Sequence, residues 1–497
     1  MGAGTVDYDS VMNLALERGF YFPSGGPYAD AQAGFWEYGP NGVGLKARFV
    51  ELWRRSLVRR AGMMEIDGSQ VMPPSVFEAS GHLAGFTDPV VQCTACSATY
   101  RADKLLEGDA SLHEGSSPSE IDAAVAARGV SCPGCGGALG PSRRFNMMFG
   151  LGIGPGAEPA YLRPETCQSI FVDFPRIYKT MRGRLPLGIA QVGKSFRNEI
   201  APRQSLLRLR EFYQAEIEVF CNPNRLDDIK AFGEVAGTAI RLHDGSATRE
   251  VTCERAVETG AIANRTVAYH VGLLAEFYER AGIDMKRTRF RRLSETEKAF
   301  YATTALDFEA EVSTGWLELV ACNYRADYDL SGHAKRSGEK FEVMDGDEKV
   351  LPHVFEMSMG IDRSLYTILE HSLREDAEND RTVLSLRPHM APVQVGVLSL
   401  VKKDGLAERT EEIYRSLREE HSAFLDHSGA IGRRYRRLDE AGAPLAVTVD
   451  HQTLEDGTVT LRRRDTMAQE RVRVADLAGA IRAEVAFPAA QGRRARL

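Results

Sequence analysis

The stretch from Gly193 to Phe220, GKSFRNEIAPRQSLLRLREFYQAEIEVF, most constrains the fold of this chain. Its apolar ends and its polar middle (Asn198–Ser205) predict a β-hairpin whose returning strand begins at Leu207. Since side chains alternate along a strand, one face of that strand is apolar except for Glu211. The other face carries Arg208, Arg210, Phe212, Gln214, Glu216 and Glu218.

This polar face sorts its groups by charge, with guanidinium groups at one end, an aromatic ring in the middle, and an amide and two carboxylates at the other end. Such an order suits an elongated ligand that carries a phosphate, a flat base and an ammonium group. A solvated strand face with cross-strand ion pairs is the alternative interpretation.

Size and charge limit the classes of protein to consider. A chain of 497 residues is long enough for about three domains or one large body with insertions. The net charge of −7 means that any nucleic-acid contact must come from local basic patches. The N-terminus has no basic segment followed by an apolar run, and no apolar run reaches ~20 residues. These features predict a cytoplasmic protein that does not cross a membrane.

Four of the eight cysteines form two CxxC pairs. They are Cys93, Cys96, Cys132 and Cys135. Two tight turns of this kind bring four thiolates to one ion, so the spacing predicts a tetrahedral zinc site in a small insertion. Four free thiols or a redox pair are the alternatives; no thioredoxin-like strand precedes either pair.

A long amphipathic helix is predicted after the turn at Pro40–Gly44. Apolar residues recur there at helical spacing, at Leu45, Phe49, Leu52, Trp53 and Leu57. Its apolar face fits either the core of the protein or a dimer interface.

Two further segments place polar groups at the ends of predicted strands. In YLRPETCQ (Tyr161–Gln168), a strand gives way to a helix at Pro164, which would offer polar side chains such as Glu165 to a pocket, although helix capping alone also explains them. In HVFEMSMGIDR, a strand is predicted to end at Glu356, Gly360 permits close approach of a ligand, and Arg363 follows in the first turn of a helix. Arg363 is therefore a candidate second clamp on a polyphosphate.

The remaining segments carry less specific sequence patterns. Residues 224–292 form a charged segment that we expect to be helical, and Val383–Pro392 reads as a linker. Beyond it, alternating strands and helices predict a compact α/β unit. Two basic runs, Arg433–Arg437 and Arg462–Arg464, predict a nucleic-acid patch there, with a solvated helix face as the alternative for the first run.

These motifs together resemble the dimeric type of glycyl-tRNA synthetase over nearly the whole length. YGPNGVGLK resembles the first, dimer-forming motif of that family, FRNEI…LRLREFYQAEIE the second and EMSMGIDR the third. YLRPETCQ, GWLEL, RADYDLSGH and GRRYRRLDEAG…TLEDGTVTLRRRDTM also look like signatures of the family. Small packing positions depart from its pattern, at Cys167, Ser169, Ser205 and Met357.

The resemblance implies an α+β fold. It implies an antiparallel-sheet class II catalytic domain over residues 1–385, with a zinc-knuckle insertion at about 90–140 and a helical insertion at about 222–295. An α/β anticodon-binding domain would occupy residues 386–497. The implied cofactors are ATP, Mg²⁺ and Zn²⁺, and the implied partners are glycine, tRNA(Gly) and a second copy of the chain in a homodimer.

The resemblance also assigns roles to single residues. Arg197 and Glu199 would hold the α-phosphate and the adenine side of ATP, and Arg363 the γ-phosphate. Phe212 would stack on adenine, and Glu318 would help to hold Mg²⁺. The full ATP set is Arg197, Asn198, Glu199, Leu207, Arg208, Leu209, Arg210, Glu211, Phe212, Glu318, Leu319, Gly360, Ile361, Asp362 and Arg363, of which Arg197, Glu199 and Arg363 would be catalytic.

Glycine would lie in a carboxylate-lined pocket that leaves no volume for a side chain. The implied glycine set is Arg101, Glu165, Phe212, Tyr213, Gln214, Ala215, Glu216, Glu356, Met357, Ser358, Met359 and Gly360. Two other functions are consistent with the sequence: a divergent paralogue that passes activated glycine to an acceptor other than tRNA, and a non-catalytic synthetase-like binding subunit. The second fits less well, because a binding subunit has no need of two phosphate clamps.

Overall fold

The computed structural model describes residues 6–106, 116–202, 204–295, 297–299 and 301–488. The predicted insertion at about 90–140 therefore includes a part, residues 107–115, that lies outside the described ranges. Among the described residues, no helix combines the length and the apolar character needed to cross a membrane.

The N-terminal part combines short strands with helices. Its elements are α1 (Tyr8–Glu17), β1 (Tyr21–Pro23), β2 (Trp36–Tyr38), α2 (Pro40–Trp53), β3 (Met64–Ile66), β4 (Val71–Met72), α3 (Pro74–Ala79) and α4 (His82–Gly85). The predicted amphipathic helix is α2, which begins at Pro40 and continues as a π-helical segment, Arg54–Arg59. Gly42 is required near its start, because a Cβ there would lie 1.8 Å from the Phe20 carbonyl oxygen.

A small insertion carries the two CxxC pairs. It holds β5 (Thr87–Gln92), β6 (Thr99–Arg101), α5 (Ala102–Leu105), α6 (Pro118–Arg128) and β7 (Arg143–Asn146). The three strands form an antiparallel sheet in the order β6-β5-β7. Helix α6 starts at a capping box in which the side chains of Ser117 and Glu120 each accept from the backbone N–H of the other residue.

The middle of the chain builds the main body. Its elements are β8 (Phe149–Ile153), β9 (Glu158–Leu162), α7 (Cys167–Thr180), β10 (Leu187–Phe196), β11 (Glu211–Cys221), β12 (Ala239–His243), β13 (Thr248–Thr252), α8 (Cys253–Glu258), α9 (Arg265–Ala281), β14 (Thr288–Arg292), β15 (Thr304–Val312), β16 (Gly315–Ala326), α10 (Tyr328–Ser337), β17 (Val343–Asp345), β18 (Glu348–Val350), β19 (His353–Gly360), α11 (Ile361–Ser372), β20 (Leu373–Asp376) and β21 (Arg381–Leu384).

Among the described residues, eight of these strands and β3 of the N-terminal part form one sheet, in the order β13-β12-β14-β15-β16-β19-β11-β10-β3. Its pairs are antiparallel except β12 with β14 and β3 with β10, so the predicted antiparallel α+β architecture is confirmed. Helices α2, α9 and α11 pack with one face of the sheet in the largest apolar cluster. Helix α7 covers part of the other face, where Phe171 and Phe174 contact Phe220.

Three local predictions are wrong. The segment at about 222–295 is not simply helical, because it adds strands β12, β13 and β14 to the sheet beside helices α8 and α9. The strand predicted to end at Glu356 continues to Gly360, because its pairing with both neighbours runs on to that end. The predicted linker Val383–Pro392 contains the end of strand β21 and a 3₁₀ turn at Pro388–Met390.

The predicted hairpin forms, but its second strand begins at Glu211 rather than Leu207. Ser205–Leu207 is a 3₁₀ turn, so Arg208 and Arg210 are not part of the alternating strand face. The positive φ of Gln204 and Ser205, +71° and +47°, makes the chain turn here before it can pair.

A second sheet forms the C-terminal domain. Its elements are β22 (Val395–Ser399), α12 (Leu406–Leu417), β23 (Ala423–Asp426), α13 (Ile431–Glu440), β24 (Leu445–Val449), α14 (His451–Asp456), β25 (Thr458–Arg463), β26 (Gln469–Arg473) and α15 (Leu477–Glu484). The order β23-β22-β24-β25-β26, with parallel and antiparallel pairs, agrees with the predicted α/β unit.

The predicted nucleic-acid patch of this domain is wrong for its three buried arginines, Arg434, Arg462 and Arg464. Arg434 is buried and donates to the Ser399 carbonyl oxygen, and Arg437 pairs with Asp426. Arg462 pairs with Asp439, and Arg464 donates to two backbone carbonyl oxygens. Only Arg433 of the run 433–437 is exposed. Most of these arginines therefore hold the domain together.

Candidate active site

A cavity of about 250 Å³ lies on the sheet face opposite the largest apolar cluster, above strands β11, β16 and β19 and the start of α11. Its wall combines cationic, apolar and acidic side chains. The lining residues are Glu165, Arg197, Glu199, Leu206, Leu207, Arg208, Leu209, Phe212, Gln214, Tyr301, Glu318, Leu319, Ala321, Asn323, Glu356, Ser358, Gly360, Asp362 and Arg363.

Two arginines enter this cavity from separate elements. Arg197, just after β10, uses Nε to donate to the Pro164 carbonyl oxygen and lies 5.3 Å from the centre of the Phe212 ring. Arg363, on the first turn of α11, donates to the carbonyl oxygens of Leu207 and Glu318. In the described part of the chain, hydrogen-bond partners are missing for both Nη groups of Arg197 and for Nη2 of Arg363. These N–H groups are available to a phosphate.

The loop between β10 and β11 supplies a third cation. Arg208 forms a two-pronged pair with Oε2 of Glu199, at 2.8 and 2.6 Å. Arg210 instead donates to the carbonyl oxygens of Glu199 and Ala33, so it braces the loop from outside the cavity. The predicted hairpin therefore delivers one of its two neighbouring arginines to the site.

The far end of the cavity is acidic. Glu216 lies just behind the lining, where Oε1 accepts from Ser358 Oγ and Oε2 from Thr166 Oγ1, both at 2.6 Å. Gln214 also donates to Glu216, at 3.1 Å. Glu165 approaches from the start of α7, with its Oε1 2.8 Å from Gln168 Nε2. Burial raises the pKa of Glu216 above its usual value.

Glu356 completes the acidic end. It accepts from Arg325 Nη1 at 2.8 Å and from Asn323 Nδ2 at 2.7 Å. Arg325 is shared, because its Nε and Nη2 donate to the two oxygens of Asp329 at 2.6 and 2.7 Å. Burial raises the pKa of Glu356 to about 7 in spite of Arg325. The site therefore combines free guanidinium donors at one end with a concentration of buried carboxylates at the other.

Several predicted site residues do not line the cavity. Ala215, Met357, Met359 and Ile361 belong to the apolar cluster. Glu211 pairs with Lys194 on the neighbouring strand, and the Tyr213 ring lies under Lys46. Asn198 contributes a backbone hydrogen bond to Met147. For the first three, alternation along β11 and β19 explains the outcome, since neighbouring residues of one strand point to opposite faces.

Arg101 of the insertion also lies outside the lining. Its guanidinium pairs with Asp88 at 2.8 Å and with Asp103 at 2.7 Å. Asp362, by contrast, touches the cavity but is engaged with the fold, as it accepts from the Tyr38 hydroxyl and from the Tyr213 backbone N–H. Burial raises the pKa of Asp362 to about 6.

Four lining residues did not emerge from the sequence: Leu206, Tyr301, Ala321 and Asn323. Two of them had a usable signal. Leu319, Ala321 and Asn323 alternate along β16, so extending the period of two from Leu319 would have found Ala321 and Asn323. Tyr301 reaches the site from a loop, with its ring 3.8 Å from the Arg325 guanidinium carbon, and no periodic pattern covers it.

The four cysteines of the insertion meet as their spacing predicts. Sγ of Cys93 lies 3.5 Å from Sγ of Cys135, and Sγ of Cys96 lies 3.7 Å from Sγ of Cys132. All four sulfur atoms lie within 4.8 Å of one another. A tetrahedral ion with Zn–S bonds of about 2.3 Å needs S–S separations of about 3.8 Å, so this donor set fits zinc. A hydrogen bond with Tyr100 lowers the pKa of Cys132 to about 6, which favours the thiolate that binds metal.

Two family models match the chain. Residues 154–235 match the tRNA synthetase class II core domain (G, H, P, S and T). Residues 394–484 match the anticodon binding domain. The first match contains the Arg197 loop and strand β11, and the second covers the C-terminal sheet.

Relatives with curated names match nearly the full length. A protein of Methanothrix thermoacetophila named glycine–tRNA ligase is 39% identical over 94% of this chain and 95% of its own. Proteins of the same name from Methanocaldococcus jannaschii and Pyrococcus furiosus are 38% and 36% identical, each over 95% of this chain and 97% of their own.

One solved structure supports the fold alone. It is described as the RNA binding domain of threonyl-tRNA synthetase from Cryptosporidium parvum. It covers 97% of this chain and 99% of its own length with a TM-score of 0.60, at 16% identity.

Proposed function

The chain belongs to the glycine–tRNA ligase family, and on this premise we propose that the cavity of about 250 Å³ is where ATP and glycine react. The enzyme activates glycine with ATP and transfers the glycyl group to tRNA(Gly). One observation supports this location most strongly: a single cavity contains both guanidinium clamps and the acidic end. Phosphates and an ammonium group can therefore bind at opposite ends of one ligand.

The phosphate chain lies between the two clamps in this proposal. Arg197 holds the α-phosphate, where negative charge grows as the glycine carboxylate attacks in line, and Arg363 holds the γ-phosphate. Phe212, beside Arg197, offers its ring face to adenine. Glu199 orients Arg208, so this pair sits at the adenine side as one unit.

Glycine binds by its ammonium group at the acidic end. Glu165 and Glu356 line that end, and Glu216 holds the Ser358 hydroxyl in place by a 2.6 Å hydrogen bond. Buried carboxylates attract an ammonium group strongly, and larger amino acids are rejected because the closely packed wall leaves no room for a side chain. No covalent bond to the enzyme is required, since the carboxylate of glycine is itself the nucleophile.

Magnesium would be held by Glu318, which lies beside Arg363 with a separation of 3.8 Å between Oε2 and Nη1. When bound, the ion supplies charge neutralisation between the phosphates of ATP. The Glu318 side chain is 46% exposed, so it can reorient toward a metal–nucleotide complex.

Zinc is proposed for the cluster of Cys93, Cys96, Cys132 and Cys135, in a structural role. We propose that it fixes the two turns of the insertion, since the apolar cluster among the described residues of that unit is small. The chain would act as a homodimer, and the C-terminal domain would contact the anticodon of tRNA(Gly). Elemental analysis of the purified protein tests the metal, with one zinc per chain expected and none as the contradicting result.

Amino-acid-dependent exchange of pyrophosphate into ATP tests the proposed function. All twenty amino acids are assayed with the zinc-loaded enzyme, and glycine alone should give a signal. The same preparation is then tested for charging of tRNA(Gly). Exchange without charging would point to another acceptor, and absence of glycine-dependent exchange would overturn the proposal.

A further inference from the structure

One acidic side chain near the glycine end has no role in the proposed function. Glu218 is fully buried in β11, and neither of its carboxylate oxygens has a hydrogen-bond partner in the described part of the chain. An ionised carboxylate left in this state would be strongly destabilising. Glu218 must therefore be neutral or be compensated in some way that the other side chains do not provide.

Strand pairing places Glu218 against another acid. In the register of β11 and β19, Glu218 lies directly opposite Glu356, just as Glu216 lies opposite Ser358. Side chains opposite each other on neighbouring strands point to the same face. An oxygen of Glu218, an oxygen of Glu356 and Sγ of Cys167 lie within 4.8 Å of one another. Two carboxylates held this close do not both ionise readily.

Among the described residues, no cation forms a hydrogen bond or an ion pair with Glu218. Arg325 is the basic residue on this side, and it donates its hydrogen bonds to Asp329 and Glu356. On its own strand, Glu218 has Glu216 as its acidic neighbour, and α7 offers the Cys167 thiol, which donates to Glu165 at 3.0 Å. The neighbour across β10 is apolar, Ile189.

The two acids of the pair differ in their partners. Glu356 accepts hydrogen bonds from Arg325 and Asn323, which stabilise its ionised form, whereas Glu218 accepts none. A proton shared between them therefore resides on Glu218. Burial and the neighbouring Glu356 raise the pKa of Glu218 well above its usual value.

We propose that Glu218 is a positioning residue that stays protonated beneath the glycine end: when glycine binds, a small rotation closes the gap of less than 4.8 Å, and the Glu218 hydroxyl donates to Glu356, which keeps that carboxylate ionised and oriented toward the ammonium group of glycine. This inference rests on the proposed function, because it takes glycine as the ligand of Glu356. It predicts that Glu218 acts through its proton rather than through a negative charge.

Two substitutions separate these roles. Glu218→Gln keeps the shape and a donor but cannot ionise, so KM for glycine in the exchange assay should stay within about threefold of the wild-type value. Glu218→Leu removes the donor, so KM for glycine should rise at least tenfold while KM for ATP stays unchanged. The exposed Glu311→Gln on β15 is the matched control for a Glu-to-Gln change.

The outcome that overturns the proposal is an equal rise of the KM for glycine in Glu218→Gln and Glu218→Leu, because this would mean that the charge of Glu218 binds the ammonium. Infrared difference spectra at pH 9, where Glu356 is ionised, give a reading that does not depend on activity: the carbonyl band of a buried protonated carboxyl should be stronger in the wild type than in Glu218→Gln. A band of equal strength in both would also overturn the assignment.

A metal ion is the competing explanation for the unpartnered acid. Elemental analysis that found a second ion per chain, lost in Glu218→Gln and in Cys167→Ala, would replace the proton with a cation and overturn the proposal. Glycine-dependent exchange by the wild-type enzyme is measured first. Failure there would reject the proposed function, whereas success followed by equal effects of the two substitutions would reject only the role of Glu218.

Discussion

The arginines of the cavity and those of the C-terminal domain use their guanidinium groups in opposite ways. In the cavity, Arg197 and Arg363 contact backbone carbonyl oxygens and keep at least one Nη group without a partner among the described residues. In the C-terminal domain, Arg462 donates twice to Asp439, and Arg464 donates to Gly442, Leu386 and Asp465. Both groups look alike in sequence, as clusters of basic residues.

The difference teaches that available donors, rather than positive charge, distinguish a binding arginine from a structural one. A guanidinium group has five N–H donors in a planar fork, and a phosphate needs a free edge of that fork. Buried arginines whose donors are satisfied by the protein cannot offer such an edge without breaking the fold. The prediction of a basic patch fails at the buried arginines for this reason, whereas Arg197 and Arg363 keep N–H groups that point to no partner among the described residues.

Removal of a cavity clamp should have the largest effect. Arg363→Ala should lower kcat/KM for glycine-dependent exchange by about 100- to 1,000-fold, which corresponds to about 3–4 kcal/mol of transition-state stabilisation. The melting temperature should change little, because Arg363 is partly exposed and forms few protein contacts. Steady-state exchange kinetics and a thermal melt measure the two quantities; unchanged kinetics would remove Arg363 from the mechanism.

A buried arginine of the C-terminal domain should show the reverse pattern. Arg462→Ala leaves Asp439 buried with Arg381 as its remaining ion-pair partner, and it should lower the free energy of unfolding of this domain by about 3 kcal/mol. Glycine-dependent exchange at 25 °C should remain near the wild-type rate. Chemical denaturation and exchange kinetics check both statements. A loss of exchange without a loss of stability would contradict the structural role of Arg462.

The acidic end of the cavity, where Arg325 holds Glu356, can be tested through pH. Burial raises the pKa of Glu356 to about 7, so this carboxylate is mostly ionised at pH 8 and mostly protonated at pH 6. Since the ammonium group of glycine needs the ionised form, KM for glycine should rise roughly tenfold from pH 8 to pH 6, while KM for ATP serves as the internal control.

The raised pKa of Glu356 also makes folding stability depend on pH: stability falls as pH rises, whereas glycine binding improves. The folded state binds this proton more tightly than the unfolded state, so the contribution of Glu356 to the stability of the free enzyme is fully present below the unfolded pKa and is lost as pH rises through about 7. Saturating glycine should reduce that loss. A KM for glycine that does not vary with pH would contradict the assignment of Glu356.

The smallest effect is expected at the exposed end of the basic run. Arg433→Ala should leave exchange and the melting temperature unchanged, because the side chain lies at the surface of α13. If this residue contacts a tRNA phosphate, KM for tRNA in charging should rise several-fold, by up to about 1 kcal/mol, and the salt dependence of binding should weaken by about one unit of slope. Equal charging by both proteins at every salt concentration would leave the domain without a contact from this run.

Periodic patterns in the sequence were sufficient for the regular elements. Alternation identified β11 and placed Phe212 and Gln214 on the cavity face, and helical spacing identified α2. The pattern failed at Arg208 and Arg210, because a 3₁₀ turn with residues of positive φ interrupts the strand that they were expected to extend. Local backbone strain of this kind leaves no mark in an apolar–polar pattern.

Contacts between distant segments were the other limit. The sequence indicated that Glu165 and Arg363 belong to one site only through the resemblance to a family, since 198 positions separate them. It also could not predict that Glu218 faces Glu356, because the register of β11 against β19 fixes that pair. The pairing of Arg462 with Asp439 was missed for the same reason, as it joins β25 to α13.

One close approach in the body constrains how such sequences can change over time. Gly193, opposite Gln214 in the hairpin, lies beside the buried guanidinium of Arg163, and a Cβ at position 193 would stand 2.1 Å from Arg163 Nη2. Arg163 in turn donates to the carbonyl oxygens of Lys194 and Gly68. Position 193 is the more constrained of the two, because a side chain there requires the Arg163 guanidinium to move away from its hydrogen bonds or to be replaced by a smaller group. Descendants of this sequence with a side chain at 193 should therefore also have lost the arginine at 163, whereas glycine at 193 tolerates either state.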